Sequence, residues 1–82
     1  MIDFETFLNN FKNAISIDGI ELGELPPDTK FRDLEVWDSM NALNTLAMVD
    51  FEYGIQLPAD ELQVCQTISD IFEKVSARIN AK

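Results

Sequence analysis

The sequence predicts an all-α domain: a small four-helix bundle with three longer helices, one short helix and a long loop between the first and second helices. Two segments place apolar residues at the same spacing, i, i+3, i+4, i+7 and i+11, which is typical of a helix buried along one face. Capping residues indicate the other two helices. The 82 residues suit a single domain, 1–82, with one modest core and no enclosed active site of its own.

The first and last helices are predicted from the two apolar stripes. The first helix starts at Asp3, and Ile2 and Phe7 are placed to form a hydrophobic staple. The last helix starts at Thr67, which forms a capping-box pattern with Asp70. The stripes predicted to face the core are Phe4, Phe7, Leu8, Phe11 and Ile15, and Ile68, Ile71, Phe72, Val75 and Ile79.

The segment between these stripes loses helical periodicity from residue 16 to residue 38, and we predict one long loop there. Its glycines and prolines, which interrupt regular structure, are Gly19, Gly23, Pro26 and Pro27. Apolar residues that could hold the loop on the core are Ile20, Leu22, Leu25, Phe31, Leu34 and Val36. A loop of this length is unusual in a compact domain unless function or packing explains it.

A helix is predicted from Ser39 to about Tyr53, and a short helical turn over residues 57–62. Asp38 suits the N-cap of the longer helix, and Gly54 suits the left-handed position after its end. Ser39 would then present its hydroxyl to solvent at the positive end of the helix, where backbone N–H groups lack partners. Such a position suits a covalently attached phosphate.

The composition excludes several classes of function. Fifteen acidic and six basic residues give a formal charge of -9, which argues against binding to nucleic acid or anionic membrane and favours partners with basic patches. The absence of histidine excludes Ser-His-Asp and Cys-His catalysis and the common imidazole metal sites, so we expect no metal. Cys65 is the single cysteine and is predicted to be buried packing.

The apolar segments are too short for membrane insertion, and no secretory signal is recognisable. We therefore expect a cytoplasmic protein, and we expect it to be a monomer.

The helix from residue 39 to residue 53 carries two apolar stripes when residues are placed at 100° intervals. One stripe consists of Ala42, Leu46, Val49 and Tyr53, and the other of Met40, Leu43, Ala47 and Phe51, with Asn44 and Met48 near its edge. Either the helix is central and wrapped by the rest of the domain, or one stripe is exposed to a partner. The sequence leaves both possibilities open.

Four motifs follow one another between Phe31 and Phe72: F-R-D-L, D-S-M, F-E-Y-G-I-Q-L-P and T-I-S-D-I-F. In this order and setting they resemble the acyl carrier protein family. Residues 34–38 form a loop one residue longer than in the common fatty-acid version. The motif W-D-S-M is closer to that of specialised stand-alone carriers, including those that load amino acids.

The resemblance implies that 4′-phosphopantetheine, donated by coenzyme A, is attached to Ser39 as a phosphodiester. Its terminal thiol would carry an acyl or aminoacyl group as a thioester. Asp38 is assigned to helix capping and transferase contact, since its charge repels a phosphate. The chain itself would not be an enzyme, because the chemistry belongs to the cofactor and to visiting enzymes. These are a phosphopantetheinyl transferase, an acyl- or aminoacyl-loading ligase, and downstream synthases or transferases.

The expected partner surface departs from the family pattern. In typical fatty-acid carriers the helix after the serine presents several acids to basic enzymes, whereas Asn41, Asn44, Ala47 and Phe51 stand on the corresponding surface here. We therefore expect a more apolar docking surface and a dedicated fatty-acid, polyketide or other specialised biosynthetic pathway. The predicted partner-binding residues are Met40, Asn44, Ala47, Met48, Asp50 and Phe51.

Two alternatives remain open at this point. The chain could be an aminoacyl or peptidyl carrier, including the D-alanyl type, or a scaffold that keeps the carrier fold but stays unmodified. An acidic mimic of nucleic acid is less favoured, because the acids are scattered among the loop, caps and helix ends.

Overall fold

The computed structural model describes residues 3–15 and 25–80, and these residues form a small helical bundle. Its helices are α1 (Phe4–Ile15), α2 (Ser39–Tyr53), α3 (Ala59–Val64) and α4 (Ile68–Asn80). The predicted fold, three longer helices and one short one, is confirmed. The predicted staple residue Ile2 and the predicted loop anchors Ile20 and Leu22 lie outside the described residues. No helix in the described part of the chain is both long enough and apolar enough to cross a membrane.

The starts of α1 and α4 are fixed by side chains that form hydrogen bonds with backbone N–H groups. In α1, a carboxylate oxygen of Asp3 accepts a hydrogen bond from the N–H of Thr6 at 3.1 Å. In α4, the Asp70 carboxylate accepts from the N–H of Thr67 at 3.1 Å, and the Thr67 hydroxyl accepts from the N–H of Asp70 at 3.2 Å. This reciprocal pair is the capping box that the sequence predicted.

The core is filled by aromatic and branched side chains from all the longer helices. Phe7 and Phe11 of α1 are fully buried, and their rings lie 6.4 Å apart. Phe7 also packs edge-on against Phe72 of α4, with ring centroids 5.6 Å apart. Ile68, Ile71 and Val75 of α4 are fully buried as well. Burial of this kind stabilises by roughly 1.5–3 kcal/mol per large side chain, so these stripes hold the helices together.

The segment from residue 25 to residue 38 is more ordered than the predicted irregular loop. It contains a 3₁₀ turn, Phe31–Asp33, that was not predicted from the sequence. The guanidinium of Arg32 donates to three backbone carbonyls at the end of α3, those of Leu62, Gln63 and Cys65. A positive group beside the carbonyls of a helix C-terminus is favourable, and here it ties the segment to α3.

The same segment also rests on the core and on α4. Leu25, Phe31 and Val36 are buried, as predicted for loop anchors. The N–H of Ile68 donates to the carbonyl of Thr29 at 3.1 Å, so the segment supplies a partner for the first turn of α4. Packing and backbone bonds of this kind explain how a compact domain accommodates so long a connection.

The short helix is displaced from its predicted position along the chain. It spans Ala59–Val64, and Pro58 is its N-cap residue with extended backbone. Glu61 forms ion pairs with Lys74 and Arg78 of α4, and the Lys74 pair measures 3.9 Å. These contacts fix α3 against the last helix.

Candidate functional site

The start of α2 is a complete helix cap. Asp38 has extended backbone, its side-chain oxygen accepts a hydrogen bond from the N–H of Asn41 at 2.8 Å, and its carbonyl accepts from the N–H of Ala42 at 3.0 Å. The helix ends at Gly54, whose φ of 66° lies in the left-handed region, and the N–H of Gly54 donates to the carbonyl of Asp50 at 2.9 Å. Both predicted boundaries of α2 are confirmed.

Ser39 is the first residue of α2, and it is exposed. The N–H groups of the first helical turn have no intrahelical acceptor, and the Asp38 cap satisfies that of Asn41. The N–H groups of Ser39 and Met40 therefore remain directed out of the helix end, where the helix dipole favours a negative charge. The arrangement presents a primary hydroxyl to solvent beside a weakly electropositive helix end.

Asn41, two residues after Ser39, is buried, with 5% of its surface exposed. Its Nδ2 donates to the backbone carbonyl of Val36 and to that of Ile15 at 3.4 Å, and its Oδ1 accepts from Nδ2 of Asn44 at 3.1 Å. The amide thereby joins α2 to the preceding segment and to the last residue of α1. This role was not predicted from the sequence, in which Asn41 was expected on the outer surface.

The segment before Ser39 is braced by an aromatic cluster. The indole of Trp37 packs against the ring of Phe31, with centroids 4.7 Å apart, and against that of Phe11 at 6.2 Å. The N–H of Trp37 donates to the carbonyl of Leu34 at 3.0 Å. Large rings packed at such distances hold the chain that enters α2.

One face of α2 exposes large apolar side chains. Met40 is 64% exposed, Leu43 62% and Phe51 87%. The predicted contact residues Asn44, Ala47 and Asp50 are exposed too. A groove of about 500 Å³ between α1 and α2 borders this face, lined in part by Asn10, Asn44 and Phe51. Two alternatives were predicted for α2: a helix wrapped on all sides, or one with an apolar stripe exposed. The structure shows the exposed stripe.

The assignment of Met48 to that exposed face was wrong. Met48 is 9% exposed and belongs to the core, along with Asn41 and Thr45 of the same helix. Because Asn41 is drawn inward by its carbonyl partners, the buried side of α2 runs along residues 41, 45, 48 and 49. Of the residues predicted to point inward, Val49 is fully buried, whereas Ala42, Leu46 and Tyr53 are half-buried. The i, i+4, i+7 spacing of Asn41, Thr45 and Met48 was a usable signal, hidden by the polar character of the first two.

The single cysteine is part of the packing. Cys65 is 1% exposed at the end of α3, and its thiol donates to the carbonyl of Glu61 at 3.3 Å. Burial raises the pKa of the Cys65 thiol, and the negative charge of Asp70 raises it further. Within residues 3–15 and 25–80, no three acidic or cysteine side chains gather in a way that would hold a metal ion.

Comparisons with known proteins identify the family and the fold. The sequence model of a family described as the phosphopantetheine attachment site matches residues 13–75. The fold is similar to the solution NMR structure of a holo acyl carrier protein from Geobacter metallireducens. The two chains are 22% identical and superpose with a TM-score of 0.77 over 99% of this chain and 90% of that one. At this level of identity the likeness shows the fold. Among curated protein sequences no match is found.

Proposed function

Because this chain belongs to the phosphopantetheine attachment-site family and carries 4′-phosphopantetheine covalently, we propose that Ser39 is the residue that holds it. The observation that carries the proposal is the exposed hydroxyl on the first turn of a capped helix. Ser69 and Ser76, the other serines in the part of the chain that the structure describes, are half-buried. Ser69 also lies in a first helical turn, but its N–H is bonded to the carbonyl of Pro27 at 2.9 Å.

The local chemistry supports attachment at this position. In transfer from coenzyme A, the oxygen of Ser39 would form a bond to the phosphorus that bears the pantetheine group. The diphosphate bond would break, adenosine 3′,5′-bisphosphate would leave, and a base of the transferase would take the hydroxyl proton. The product phosphodiester keeps a negative charge, which the dipole and free N–H groups at the start of α2 favour. Asp38 opposes this by like-charge repulsion. We therefore assign Asp38 to capping and to contact with a basic surface of the transferase.

The chain then functions as a carrier rather than as a catalyst. The terminal thiol of the bound group carries acyl or aminoacyl cargo as a thioester, and the chain's own residues hold the attachment point and bind successive enzymes. Partners in this scheme are a phosphopantetheinyl transferase, a loading ligase, and downstream synthases or transferases.

The exposed face of α2 supports a dedicated pathway. Met40, Ala47 and Phe51, together with Asn44 and Asp50, offer a largely apolar docking surface in which Asp50 is the acidic member. Apolar contact of this kind favours shape-dependent recognition, while the overall charge of -9 accelerates encounter with basic partners. A fatty-acid, polyketide or other specialised biosynthetic enzyme set with a matching apolar groove fits this surface.

Intact-mass measurement tests the attachment directly. Wild-type protein incubated with coenzyme A and a broad-specificity phosphopantetheinyl transferase is expected to gain the mass of one phosphopantetheine. Ser39→Ala should gain none, whereas the control variant Ser76→Ala should be modified like the wild type. An unchanged wild-type mass would instead favour the unmodified scaffold.

A further inference from the structure

Asn41 follows Ser39 by two residues and forms hydrogen bonds with the chain that precedes Ser39. Its own N–H donates to the side chain of Asp38 at 2.8 Å, and its side-chain amide donates to the carbonyl of Val36. Both bonds reach back across Ser39 to residues that precede it. Two hydrogen bonds therefore close the turn between Val36 and Asn41, and Ser39 lies within this turn.

The same amide also connects this turn to a second helix. The hydrogen bond from Nδ2 to the carbonyl of Ile15 joins the end of α1, a fully buried residue, to the start of α2. The remaining Oδ1 is occupied by Asn44 at 3.1 Å. With both Nδ2 hydrogens and the acceptor engaged, the buried amide avoids the cost of unpaired polar groups.

A buried and fully bonded amide specifies one arrangement of its surroundings. An apolar residue at position 41 could fill the same space, but it would give no directional link to Val36 or Ile15. Thr45, one turn later, shows the contrast: it is equally buried, but its hydroxyl donates to the carbonyl of Asn41 within α2 and links no second segment.

We propose that Asn41 is a positioning residue for the modification of Ser39: it fixes the turn from Val36 to Asn41 against α1, so that the hydroxyl meets the transferase in one orientation. The inference rests on the proposed attachment at Ser39. It predicts that removing the amide donors slows transfer even when the bundle remains folded. A misplacement of about 1 Å at a reacting group can cost a hundredfold in rate, so we expect kcat for phosphopantetheine transfer to fall roughly ten- to hundredfold.

The test compares Asn41→Asp with Thr45→Val, both of which keep the shape of the side chain. Asn41→Asp loses both Nδ2 donors, whereas Thr45→Val loses one equally buried donor that acts only within α2. Folded fractions are set equal by circular dichroism before the transferase reaction is followed by intact mass. We expect a lower kcat with an unchanged KM for coenzyme A in Asn41→Asp, and a near wild-type kcat in Thr45→Val.

A spectroscopic measurement separates positioning from stability. Trp37 is the single tryptophan and lies within the turn, so its fluorescence reports on this turn. Asn41→Asp is expected to shift the emission to longer wavelength and to increase quenching by acrylamide, while Thr45→Val leaves both unchanged. If Asn41→Asp fails to fold, Asn41→Ala replaces it with the same expectations.

The outcomes distinguish this inference from the proposed function. A wild-type chain that gains no mass would remove the attachment at Ser39 and the positioning role with it. A modified wild type, together with equal kcat values in the position 41 and position 45 variants and unmoved Trp37 emission, would overturn the positioning role alone.

Discussion

Asp38 and Asn41 close the first turn of α2 through one hydrogen bond of 2.8 Å between a carboxylate oxygen and a backbone N–H. The carboxylate therefore has a structural task that does not require its charge, because a neutral amide oxygen can accept the same bond. Its proposed contact with the transferase does require the charge. The two roles can be separated by substitution.

Asp38→Asn is expected to keep the cap and lose the charge. The free energy of unfolding should stay near the wild-type value, whereas Asp38→Ala should lower it by about 1 kcal/mol, the usual cost of an N-cap. Both variants should show a lower kcat/KM for the transferase and a weaker dependence on salt. Urea denaturation and initial rates at two ionic strengths measure these effects. Unchanged rates in Asp38→Asn would restrict Asp38 to capping.

Phe51→Glu tests the apolar docking surface. Because the side chain is 87% exposed, the substitution should change the free energy of unfolding by less than about 0.5 kcal/mol, as is usual for surface positions. Loss of an aromatic contact should nevertheless raise the KM of the cognate loading ligase roughly tenfold or more, the scale of an interface hot spot.

A matched control for Phe51→Glu is available on another part of the molecule. Val64 is 67% exposed and borders a groove between α3 and α4, whereas Phe51 borders the groove between α1 and α2. Val64→Glu adds the same charge and should leave the loading kinetics near the wild-type values. Equal effects of the two substitutions would assign the change to net charge and contradict the docking surface.

The sequence predicted the ends of α2 better than the direction in which its sides face. Its boundaries are set locally, by the cap at Asp38 and the left-handed Gly54, so they could be identified from neighbouring residues. Its buried side depends on the hydrogen bonds from Asn41 to the backbone carbonyls of Val36 and Ile15. These groups come together only in the folded chain. Asn41, a polar residue, was therefore predicted on the surface.

The 3₁₀ turn was missed for a related reason. Arg32 is held by carbonyls about thirty positions further along the chain, at the end of α3. No local pattern in the F-R-D-L segment predicts the contact between Arg32 and α3. The exposed hydroxyl of Ser39, in contrast, follows directly from the predicted cap, and so the candidate attachment point could be predicted from the sequence.

Cys65 is expected to react slowly with alkylating reagents. The thiol is 1% exposed and its pKa is raised by burial, so little thiolate is present at neutral pH. Iodoacetamide at pH 7.5 should modify the folded unmodified protein roughly tenfold or more slowly than the same chain in urea. After transfer of phosphopantetheine, one fast-reacting thiol should appear in the folded protein. Rapid alkylation of the unmodified folded chain would show that the end of α3 opens readily.

Asp70 is expected to make the start of α4 sensitive to acid. The N–H groups of Gln66 and then of Thr67 donate to its carboxylate and hold the pKa of Asp70 below its ordinary value. A carboxyl group with a pKa lowered by folding adds stability that is fully present above its unfolded pKa of about 4, and this stability disappears as the pH falls through the folded value. The contribution should therefore be complete at neutral pH and decline below about pH 4.

Asp70→Asn removes this titration while keeping one oxygen acceptor in the capping box. The variant should be less stable than the wild type at pH 7, and the gap between their free energies of unfolding should narrow as the pH falls below about 4. Urea denaturation at a series of pH values from 7 to about 2.5 measures the gap across this titration range. If the free energies of unfolding of the two proteins ran parallel across this pH range, the prediction would be contradicted. The pKa of Asp70 would then be the same in the folded and unfolded chains, and the bonds from Gln66 and Thr67 would not favour its charged form.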